Sequence, residues 1–190
     1  DHKKTKNYFK YIIVKKIVFF SHNKYKINEV INIFQISKIK ILTPYDFPKT
    51  YTPEETGKTF RDNAIIKSTF GFRSFELPCF AEDSGICISA LDNQPGIKSK
   101  RFQIENGGLH KTFKMIINQT KIKKNYKAFF QTSIAFSFGN KKLKCFDGIV
   151  FGKISGKPLG SRGFHYDPIF IPDGTNKTFA QMLEKEKNKI

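Results

Sequence analysis

KKIVFFSHNKYKINEVINIF, residues 15–34, is the stretch that decides the fold class of this chain. Ile17 to Phe20 form a continuous apolar run, which is typical of a strand buried on both faces. Polar residues 21–26 separate it from a segment whose apolar side chains recur with helical spacing, at Ile27, Val30, Ile31 and Phe34. A buried strand followed by an amphipathic helix predicts an α/β fold with a buried sheet.

The next segments continue the alternation of strands and helices. Residues 38–44 read as a second strand that Pro44 ends, and residues 52–72 read as a loop followed by a helix from about Thr59. Residues 77–91 predict a strand, a turn at Asp83–Gly85 and a second β-like run. The sheet therefore gains at least two further strands in this part of the chain.

The second half predicts a long loop, a helix, a hairpin and a short tail. Residues 93–108 form the loop, and an apolar helical face follows it at Leu109, Phe113, Ile116 and Ile117. Residues 125–154 predict two long strands joined at Gly139–Asn140, because a Gly-Asn pair between β runs favours a hairpin. The tail predicts a strand at 167–171 and a last helix that carries Phe179, Met182 and Leu183.

Composition limits the classes of function. The 190 residues include 34 Lys and Arg against 16 Asp and Glu, a formal charge of +18. Such a charge favours an anionic partner, either nucleic acid, a membrane surface or a phosphorylated small molecule, although a biased composition with solvated lysines would give the same value. No run reaches the roughly 18 apolar residues of a membrane-spanning helix, so we expect no integral membrane protein.

Domain organisation and cysteines add two expectations. We expect one domain at 15–190 after a basic extension at 1–14. The extension could be a targeting remnant or a nucleic-acid arm, but its sequence favours a disordered or peripheral segment. Cys79, Cys87 and Cys145 lack metal-site spacing, which favours reduced, buried thiols in a cytoplasmic protein and argues against a disulfide framework or a zinc site.

Three groups of polar residues are candidates for a site. The first is the loop SHNKYK, at the carboxyl end of the first strand, where Asn23 could bind phosphate oxygens and Lys24 and Lys26 could neutralise them. It matches neither a Walker loop nor a G-x-G-x-x-G fingerprint, so alone it does not establish phosphate binding.

The second group is acidic. Glu54 and Glu55 lie in a loop, and Glu82 and Asp83 lie side by side in FAEDSG. Carboxylates at loop and strand ends can converge on Mg²⁺, which takes one or two carboxylates together with waters and phosphate oxygens. The alternatives are an ordinary turn at Asp83 and a solvated loop at Glu54 and Glu55.

The third group lies in GSRGFHYDPIF, residues 160–170. Phe164 could stack on a planar heterocycle, Asp167 could read the hydrogen-bonding edge of that ring, and Arg162 could serve a phosphate or the base. The alternative is a β-turn with Phe164 and Tyr166 in the core. No second His or Cys near His165 gives metal-ligand spacing.

Taken in order, six blocks resemble the inosine/xanthosine triphosphate pyrophosphatases, which remove deaminated purine nucleotides. FFSHNKYKINEV is similar to the opening strand and T-G-N-x-x-K loop of that family. EETGKTFRDNAIIK (54–67) is similar to E-E-T-G-x-T-F-x-E-N-A-x-x-K, and AEDSGICISAL (81–91) to A-D-D-S-G-L-x-V-x-A-L. The other blocks are PGIKSKRF (95–102), GFHYDPIF (163–170) and FAQMLEKEKNKI (179–190).

The resemblance implies an Mg²⁺-dependent enzyme that converts a purine nucleoside triphosphate to the monophosphate and pyrophosphate. It implies Asp83 as general base, Glu54 and Asp83 as metal ligands, and two lobes around a cleft in an elongated mixed α/β homodimer. With Glu82 beside Asp83, negative charge would face the cation. The substrate-binding residues implied are Ser21, His22, Asn23, Lys24, Tyr25, Lys26, Ser84, Phe164, His165, Tyr166, Asp167 and Lys187.

The chain departs from the family pattern at several positions. Ser21 and His22 stand where the family has Thr-Gly, Glu82 where Asp is common, and His165 where it has Gly. The family continues past the position of Ile190 with Ser-His-Arg, so we expect a C-terminally truncated domain. Two alternatives remain: a degenerate homologue that binds nucleotide without turnover, and a basic nucleic-acid-binding protein, although no signature of a common nucleic-acid module is present.

Overall fold

The computed structural model describes residues 15–49, 51–139 and 142–190. Its strands form one mixed sheet: β1 (Lys16–Phe19), β2 (Lys40–Leu42), β3 (Cys79–Ile88), β4 (Gln94–Pro95), β5 (Lys127–Gly139), β6 (Lys142–Ile154) and β7 (Phe170–Pro172). The helices are α1 (Lys24–Phe34), α2 (Phe60–Phe75), α3 (Ser99–Glu105), α4 (Leu109–Ile122) and α5 (Glu184–Lys187). The predicted α/β class is confirmed; the extension at 1–14 lies outside the described residues.

Strand β3 is the central element of the sheet. The strand order is β2-β1-β3-β5-β6-β7, and β4 pairs with the end of β3. β1 runs parallel to β2 and β3, whereas β3 and β5 are antiparallel over ten residues, from Cys79 opposite Ser137 to Ile88 opposite Ala128. Every residue of β3 therefore has a defined partner and points to a defined face of the sheet.

The opening strand and helix form as the sequence predicts. Val18 and Phe19 are buried in β1, and Asn23 caps α1 by accepting hydrogen bonds from the next turn. Ile27 is buried on the inner face of α1 with Val30 and Phe34 packed around it, while Ile31 is 40% exposed at the margin of that face. Helix α2 begins directly after Thr59, at the predicted place, and the Thr59 side chain caps it.

In the described part of the chain the core consists of three apolar clusters, and β3 contributes to each of them. One cluster lies between β1, β3 and α1 and includes Phe19 and Phe80. A second lies on the opposite face, under α2, and includes Phe20 and Cys79. The largest cluster begins further along β3, at Ile86 and Ile88, and packs α4 and the tail against the sheet. Residues 82–85 therefore lie between the clusters, in agreement with the expected cleft between two lobes.

The predicted turn at Asp83–Gly85 is wrong, because β3 continues through these residues without interruption. Gly85 is needed for close packing rather than for a turn. A β-carbon at this position would collide with the carbonyl oxygen of Gly96 and with the side chains of Ser99 and Phe60. The Asp-Ser-Gly sequence is thus compatible with a strand because the ladder with β5 satisfies its backbone.

The long loop predicted at 93–108 is also wrong. It contains β4, a short 3-10 helix at Gly96–Lys98 and helix α3. Helix α3 has only seven residues, and its single buried residue is Ser99, so its sequence shows little amphipathic periodicity. It is held by contacts with β3 and with the tail, which a local pattern does not reveal.

The tail is less regular than its sequence suggests. A short 3-10 helix spans Asp167–Ile169, and the last strand is β7, so the strand predicted at 167–171 begins too early. Phe179 lies in a second 3-10 helix and α5 begins only at Glu184, so the predicted helix through Phe179, Met182 and Leu183 is wrong. The hairpin of β5 and β6 is confirmed, although Asn140 lies outside the described residues.

The cysteines and helix lengths bear on two further expectations. Cys79 and Cys87 are buried free thiols as predicted, but Cys145 is partly exposed on β6. None of the helices in the described part of the chain is long and apolar enough to cross a membrane.

Candidate functional site

Lys26 links the first helix to the middle of β3. Its Nζ lies 2.7 Å from Oε1 of Glu82 and 2.8 Å from Oγ of Ser84. Glu82 and Ser84 are two residues apart and therefore point to the same face of the strand. Burial alone would raise the pKa of Glu82, but the positive charges of Lys26 and Lys67 outweigh burial and lower it. Glu82 is consequently an ionised partner of these lysines at neutral pH.

Asp83 lies on the opposite face of β3, against α2. One carboxylate oxygen accepts a hydrogen bond from Nδ2 of Asn63 at 3.1 Å, and the other lies 3.3 Å from Nζ of Lys67. Burial raises the pKa of Asp83 despite the Lys67 charge, and the nearby acids Glu55 and Glu82 contribute in the same direction. A buried carboxylate with a raised pKa suits a group that accepts a proton.

Lys67 is surrounded by three acids. Besides Asp83, its Nζ lies 2.9 Å from Glu55 in the loop before α2. Burial would lower the pKa of Lys67, but the charges of Asp83, Glu82 and Glu55 raise it. Lys67 therefore stays protonated and offers a fixed positive charge beside Asp83. Glu55 is not simply a solvated loop residue, because it makes this ion pair.

The donor set for Mg²⁺ is limited to the strand and the loop before α2. Glu54 is exposed in that loop, while Asp83 is buried with both oxygens engaged. Across residues 15–49, 51–139 and 142–190 no group of three or more His, Cys, Asp or Glu side chains could hold a metal ion. Such a set does not fit a cage made by protein alone. It fits Mg²⁺ that arrives with phosphate oxygens and keeps most of its waters.

The polar loop after β1 is organised around Asn23. The Asn23 side chain accepts hydrogen bonds from the backbone N–H groups of Tyr25 at 3.0 Å and Lys26 at 3.4 Å. The Oγ of Ser21 accepts from the Asn23 backbone N–H at 3.2 Å, and the Tyr45 hydroxyl donates to the carbonyl of His22 at 3.1 Å. His22 and Lys24 are exposed. The loop thus has a fixed backbone from which Lys24 projects into solvent.

Phe164 is the centre of the tail segment. Its ring stacks on Tyr25 with a centroid separation of 5.7 Å and an interplanar angle of 11°. The Nζ of Lys187 lies 5.5 Å from the same ring centroid. A cavity of about 280 Å³ opens here between α1 and the tail, with Tyr25, Glu29, Phe164, Phe179 and Lys187 among its lining residues. Tyr25, predicted within a phosphate loop, therefore contacts the proposed base-stacking residue.

Asp167 holds the turn that presents Phe164. Its buried carboxylate accepts hydrogen bonds from the Phe164 backbone N–H and from Nζ of Lys187, both at 3.1 Å. Gly163 has φ +74°, and a β-carbon there would collide with the same carboxylate. Asp167 thus has a structural task within the segment, and its predicted contact with a base edge stays a prediction.

His165 and Tyr166 face different surroundings. Tyr166 is buried in the core, and its hydroxyl donates to the carbonyl of Ser99 at 2.7 Å. Tyr166 is therefore a core residue, which is the alternative that the sequence left open for this position. His165 is only partly buried, and its Nδ1 lies 2.9 Å from the side-chain oxygen of Gln103 on α3.

The structure brings most, but not all, of the predicted site residues into contact. It pairs Lys26 with Ser84, Tyr25 with Phe164, and Asp167 with Lys187. It separates the side chains of Glu82 and Asp83, which lie on opposite faces of β3 instead of acting as one acidic pair. A larger cavity of about 520 Å³, lined by residues such as Lys58, Ile97 and Phe102, contains none of the predicted site residues.

The sequence did not predict the contacts of Asn63, Lys67 and Gln103 with the candidate site. Asn63 and Lys67 are four residues apart within EETGKTFRDNAIIK, so they share one face of α2. That spacing, in a segment next to the acidic motif, was the signal that could have found them. No local pattern marks Gln103, because its partner lies 62 residues away.

Comparison with known proteins identifies relatives of this chain. The sequence profile of the Ham1 family matches residues 17–190. A protein of Leptospira interrogans named dITP/XTP pyrophosphatase is 37% identical over 172 residues, which cover 90% of this chain and 87% of the relative. A protein of the same name from Gluconobacter oxydans is 34% identical over 92% of this chain and 84% of its own length.

Solved structures agree with the sequence comparison. The Staphylococcus aureus Ham1 protein superposes with a TM-score of 0.81 at 34% identity, over 93% of this chain and 91% of its own. A HAM1 protein from Coxiella burnetii gives a TM-score of 0.82 at 31% identity, over 92% and 90% of the two chains. The elongated mixed sheet with flanking helices is thus shared with these proteins.

Proposed function

Because the chain belongs to the Ham1 family, we propose that it hydrolyses deaminated purine nucleoside triphosphates, namely ITP, dITP and XTP, to the monophosphate and pyrophosphate. Curated relatives that it matches over most of their length are named dITP/XTP pyrophosphatases. The activity would cleanse the nucleotide pool. The observation that carries the proposal is Asp83, a buried carboxylate with a raised pKa that lies beside Lys67 in the middle of β3.

In this reaction water attacks the α-phosphorus. A new oxygen–phosphorus bond forms, the bond from the α-phosphorus to the bridging oxygen of the β-phosphate breaks, and pyrophosphate leaves. Asp83 accepts the proton of the attacking water as general base. Asn63 and Lys67 hold the carboxylate in place, and the raised pKa makes it a better proton acceptor.

We propose Mg²⁺ as the cofactor, with Glu54 and Asp83 as the protein ligands. An exposed and a buried carboxylate provide the one or two acidic ligands that Mg²⁺ accepts alongside phosphate oxygens and waters. The bound cation would screen the negative charge of the phosphates and polarise the reacting phosphoryl group. Omitting Mg²⁺ from the assay tests whether hydrolysis requires it.

Phosphate binding falls to the lysines and the first helix. Lys26 is held by Glu82 and Ser84 on one face of β3, Lys67 by Asp83 and Glu55 on the other. The N-terminus of α1 presents its dipole to anions, while the Asn23 side chain engages the backbone N–H groups of Tyr25 and Lys26. Lys24 is exposed beside it and is free to contact an outer phosphate group.

The tail segment is proposed to bind the base. Phe164 offers a ring for stacking, and Tyr25, His165 and Lys187 surround it. Hypoxanthine and xanthine carry a keto oxygen at position 6, where adenine carries an amino group. A fixed polar group that hydrogen-bonds the keto oxygen has no partner when adenine binds instead. The loss costs about 1–3 kcal/mol of binding free energy.

We also propose a cytoplasmic homodimer. The apolar side chains Ile149 and Phe151 lie two residues apart on one face of β6 and are 48% and 61% exposed, which gives a second copy an apolar surface to cover. The buried free thiols Cys79 and Cys87 agree with a reducing compartment. Light scattering at several concentrations would test the dimer, and a monomer at all of them would overturn it.

The experiment that tests the function is incubation of the whole chain with Mg²⁺ and ITP, XTP, dITP, GTP or ATP in separate reactions. Release of monophosphate and pyrophosphate from the first three, with little from ATP, is the expected result. Nucleotide binding without turnover would instead identify a degenerate homologue. Salt-sensitive binding of DNA or RNA with no effect on any nucleotide would favour the basic binding protein.

A further inference from the structure

His165 has a backbone conformation that glycine adopts more easily. Its φ is +49°, in the left-handed region that is unfavourable for residues with a β-carbon. Nothing in the local turn requires an imidazole, since the turn is held by Asp167 and the Phe164 backbone. The contacts of the side chain therefore have to compensate for the strained backbone.

Among the residues that the structure describes, the imidazole contacts Gln103 on one side and Phe164 on the other. Its Nδ1 lies 2.9 Å from Oε1 of Gln103 on α3, and its ring meets the edge of the Phe164 ring at a centroid separation of 5.1 Å and an angle of 71°. His165 thus connects α3 to the ring that is proposed to stack on the base. Tyr25 and Lys187 contact the same ring, so Phe164 is restrained by three neighbours.

Helix α3 is itself fastened to the strand that carries the acids. The Ser99 hydroxyl donates to the carbonyl of Gly96 at 2.6 Å and accepts from the backbone N–H of Ile86 at 3.1 Å. The carbonyl of Ser99 accepts the Tyr166 hydroxyl. Helix α3 therefore connects β3, at Ile86 just past Ser84, to the segment Gly163–Asp167.

We infer, on the basis of the function proposed above, that Gln103 and His165 form a latch that fixes Phe164 relative to β3 and thereby sharpens discrimination between 6-keto purines and adenine. Gln103 acts as a positioning residue, because it reaches the base only through His165. A pocket rejects a wrong base only while its walls keep their positions, since a mobile wall adapts to either base.

The latch has a spectroscopic signature that needs no substrate. With the amide oxygen of Gln103 facing the ring, Nδ1 carries the proton and Nε2 of the neutral ring keeps its lone pair. Burial and the positive charges of Lys26 and Lys100 lower the pKa of His165, while Asp167 opposes them. We therefore expect the neutral Nδ1–H form of His165 at neutral pH.

Long-range ¹⁵N–¹H NMR of the imidazole rings tests this tautomer, with His165→Gly used to assign the signal. The Nδ1–H form is expected in the whole protein and in the control Ile104→Ala, whose side chain is 66% exposed on the same helix. Gln103→Ala should abolish the preference. An Nε2–H form in the unmodified protein, or no change in Gln103→Ala, would overturn the latch whether or not the protein hydrolyses any nucleotide.

Steady-state kinetics with ITP and ATP test the consequence. Loss of one hydrogen bond should lower the ratio of kcat/KM for ITP over ATP by about threefold to tenfold in Gln103→Ala and in His165→Gly. The double variant should fall no further, because the two changes break the same contact. Ile104→Ala should keep the ratio.

The outcomes separate this inference from the proposed function. If the unmodified protein releases no pyrophosphate from any purine nucleotide, the proposed function fails, and the selectivity role with it. If it hydrolyses ITP but His165→Gly has a higher Tm and an unchanged ITP to ATP ratio, His165 is only a strained turn residue and the latch is wrong.

Discussion

Glu82 and Asp83 are neighbours in sequence but face opposite sides of β3, each toward its own lysine. The carboxylate of Glu82 lies 2.7 Å from Lys26, and that of Asp83 lies 3.3 Å from Lys67. Their pKa values shift in opposite directions, since the lysine charges outweigh burial at Glu82 and burial outweighs the lysine charge at Asp83. One acid is therefore suited to anchoring a lysine and the other to accepting a proton.

Asp83→Asn should remove the general base and leave the cleft intact. We expect kcat for ITP to fall by about 10²- to 10⁴-fold, because an amide cannot accept the proton of water. The control is Asp92→Asn, which makes the same change at an exposed position. Because Asp83 is also a proposed Mg²⁺ ligand, calorimetry without Mg²⁺ should show little change of nucleotide affinity in either variant. Unaltered turnover of Asp83→Asn would exclude it as the base.

Lys26→Met should weaken substrate binding and destabilise β3. Loss of a charge-assisted contact should raise KM for ITP by about tenfold or more. Because Glu82 would lose this partner, the free energy of unfolding should fall by about 1–3 kcal/mol. Adding Glu82→Gln should restore stability without restoring KM. Lys121→Met, on the exposed face of α4, is the matched control. Recovery of KM in the double variant would assign Lys26 a purely structural role.

Glu82 should make stability depend on pH. Its pKa is lowered from the usual 4.5 in the folded protein, so the unfolded chain binds the proton more readily. The stabilisation it provides is complete above the unfolded pKa and is lost as pH falls through the lowered folded pKa. Urea unfolding between about pH 3 and pH 7 should therefore show a shallower pH dependence for Glu82→Gln than for the unmodified protein. Parallel curves would contradict the pairing with Lys26 and Lys67.

Gly85→Ala should destabilise the protein strongly, whereas Gly148→Ala should not. A β-carbon at Gly85 collides with the Gly96 carbonyl, but one at Gly148 in β6 meets nothing within 4 Å. We expect a loss of at least about 2 kcal/mol for Gly85→Ala, because backbone atoms cannot move aside as a flexible side chain does. Thermal unfolding of the two variants measures the difference. Equal Tm values would show that β3 and the 3-10 helix at Gly96–Lys98 separate easily.

The three cysteines should differ in reactivity. Burial raises the pKa of Cys79 to about 12 and that of Cys87 to about 11. Very little thiolate forms at these sites near neutral pH, so a thiol reagent should modify only the partly exposed Cys145 in the native protein. Mass spectrometry should find one adduct before unfolding and three afterwards, with none in native Cys145→Ser. Early modification of Cys79 would indicate that β3 opens locally.

The parts of the fold with strong periodicity were predictable, and those held by distant contacts were not. β1 follows from its continuous apolar run, and α1, α2 and α4 follow from the spacing of their apolar residues. The turn expected at Asp83–Gly85 failed because a ten-residue ladder with β5 outweighs the turn preference of Asp-Ser-Gly. Helix α3 failed because seven residues around one buried serine carry no apolar pattern.

The candidate site shows the same division. Lys26, Asp83 and Phe164 became candidates because each lies in a recognisable block of sequence, and their roles stay predictions. The side of the strand on which each acid lies could not be predicted while Asp83 was assigned to a turn, because only a continuous strand alternates its faces. The link from Gln103 to His165 joins segments that no local spacing connects.

The continuity of β3 also constrains how its length can change. Side chains alternate between the two faces of a strand. Inserting or deleting one residue between Cys79 and Glu82 would therefore move each acid to the opposite face of β3. Asp83 would then face Lys26 and Glu82 would face α2, although both acids were still present. This stretch should therefore accept substitutions but not single-residue changes of length, and only paired insertions would preserve the order of the site.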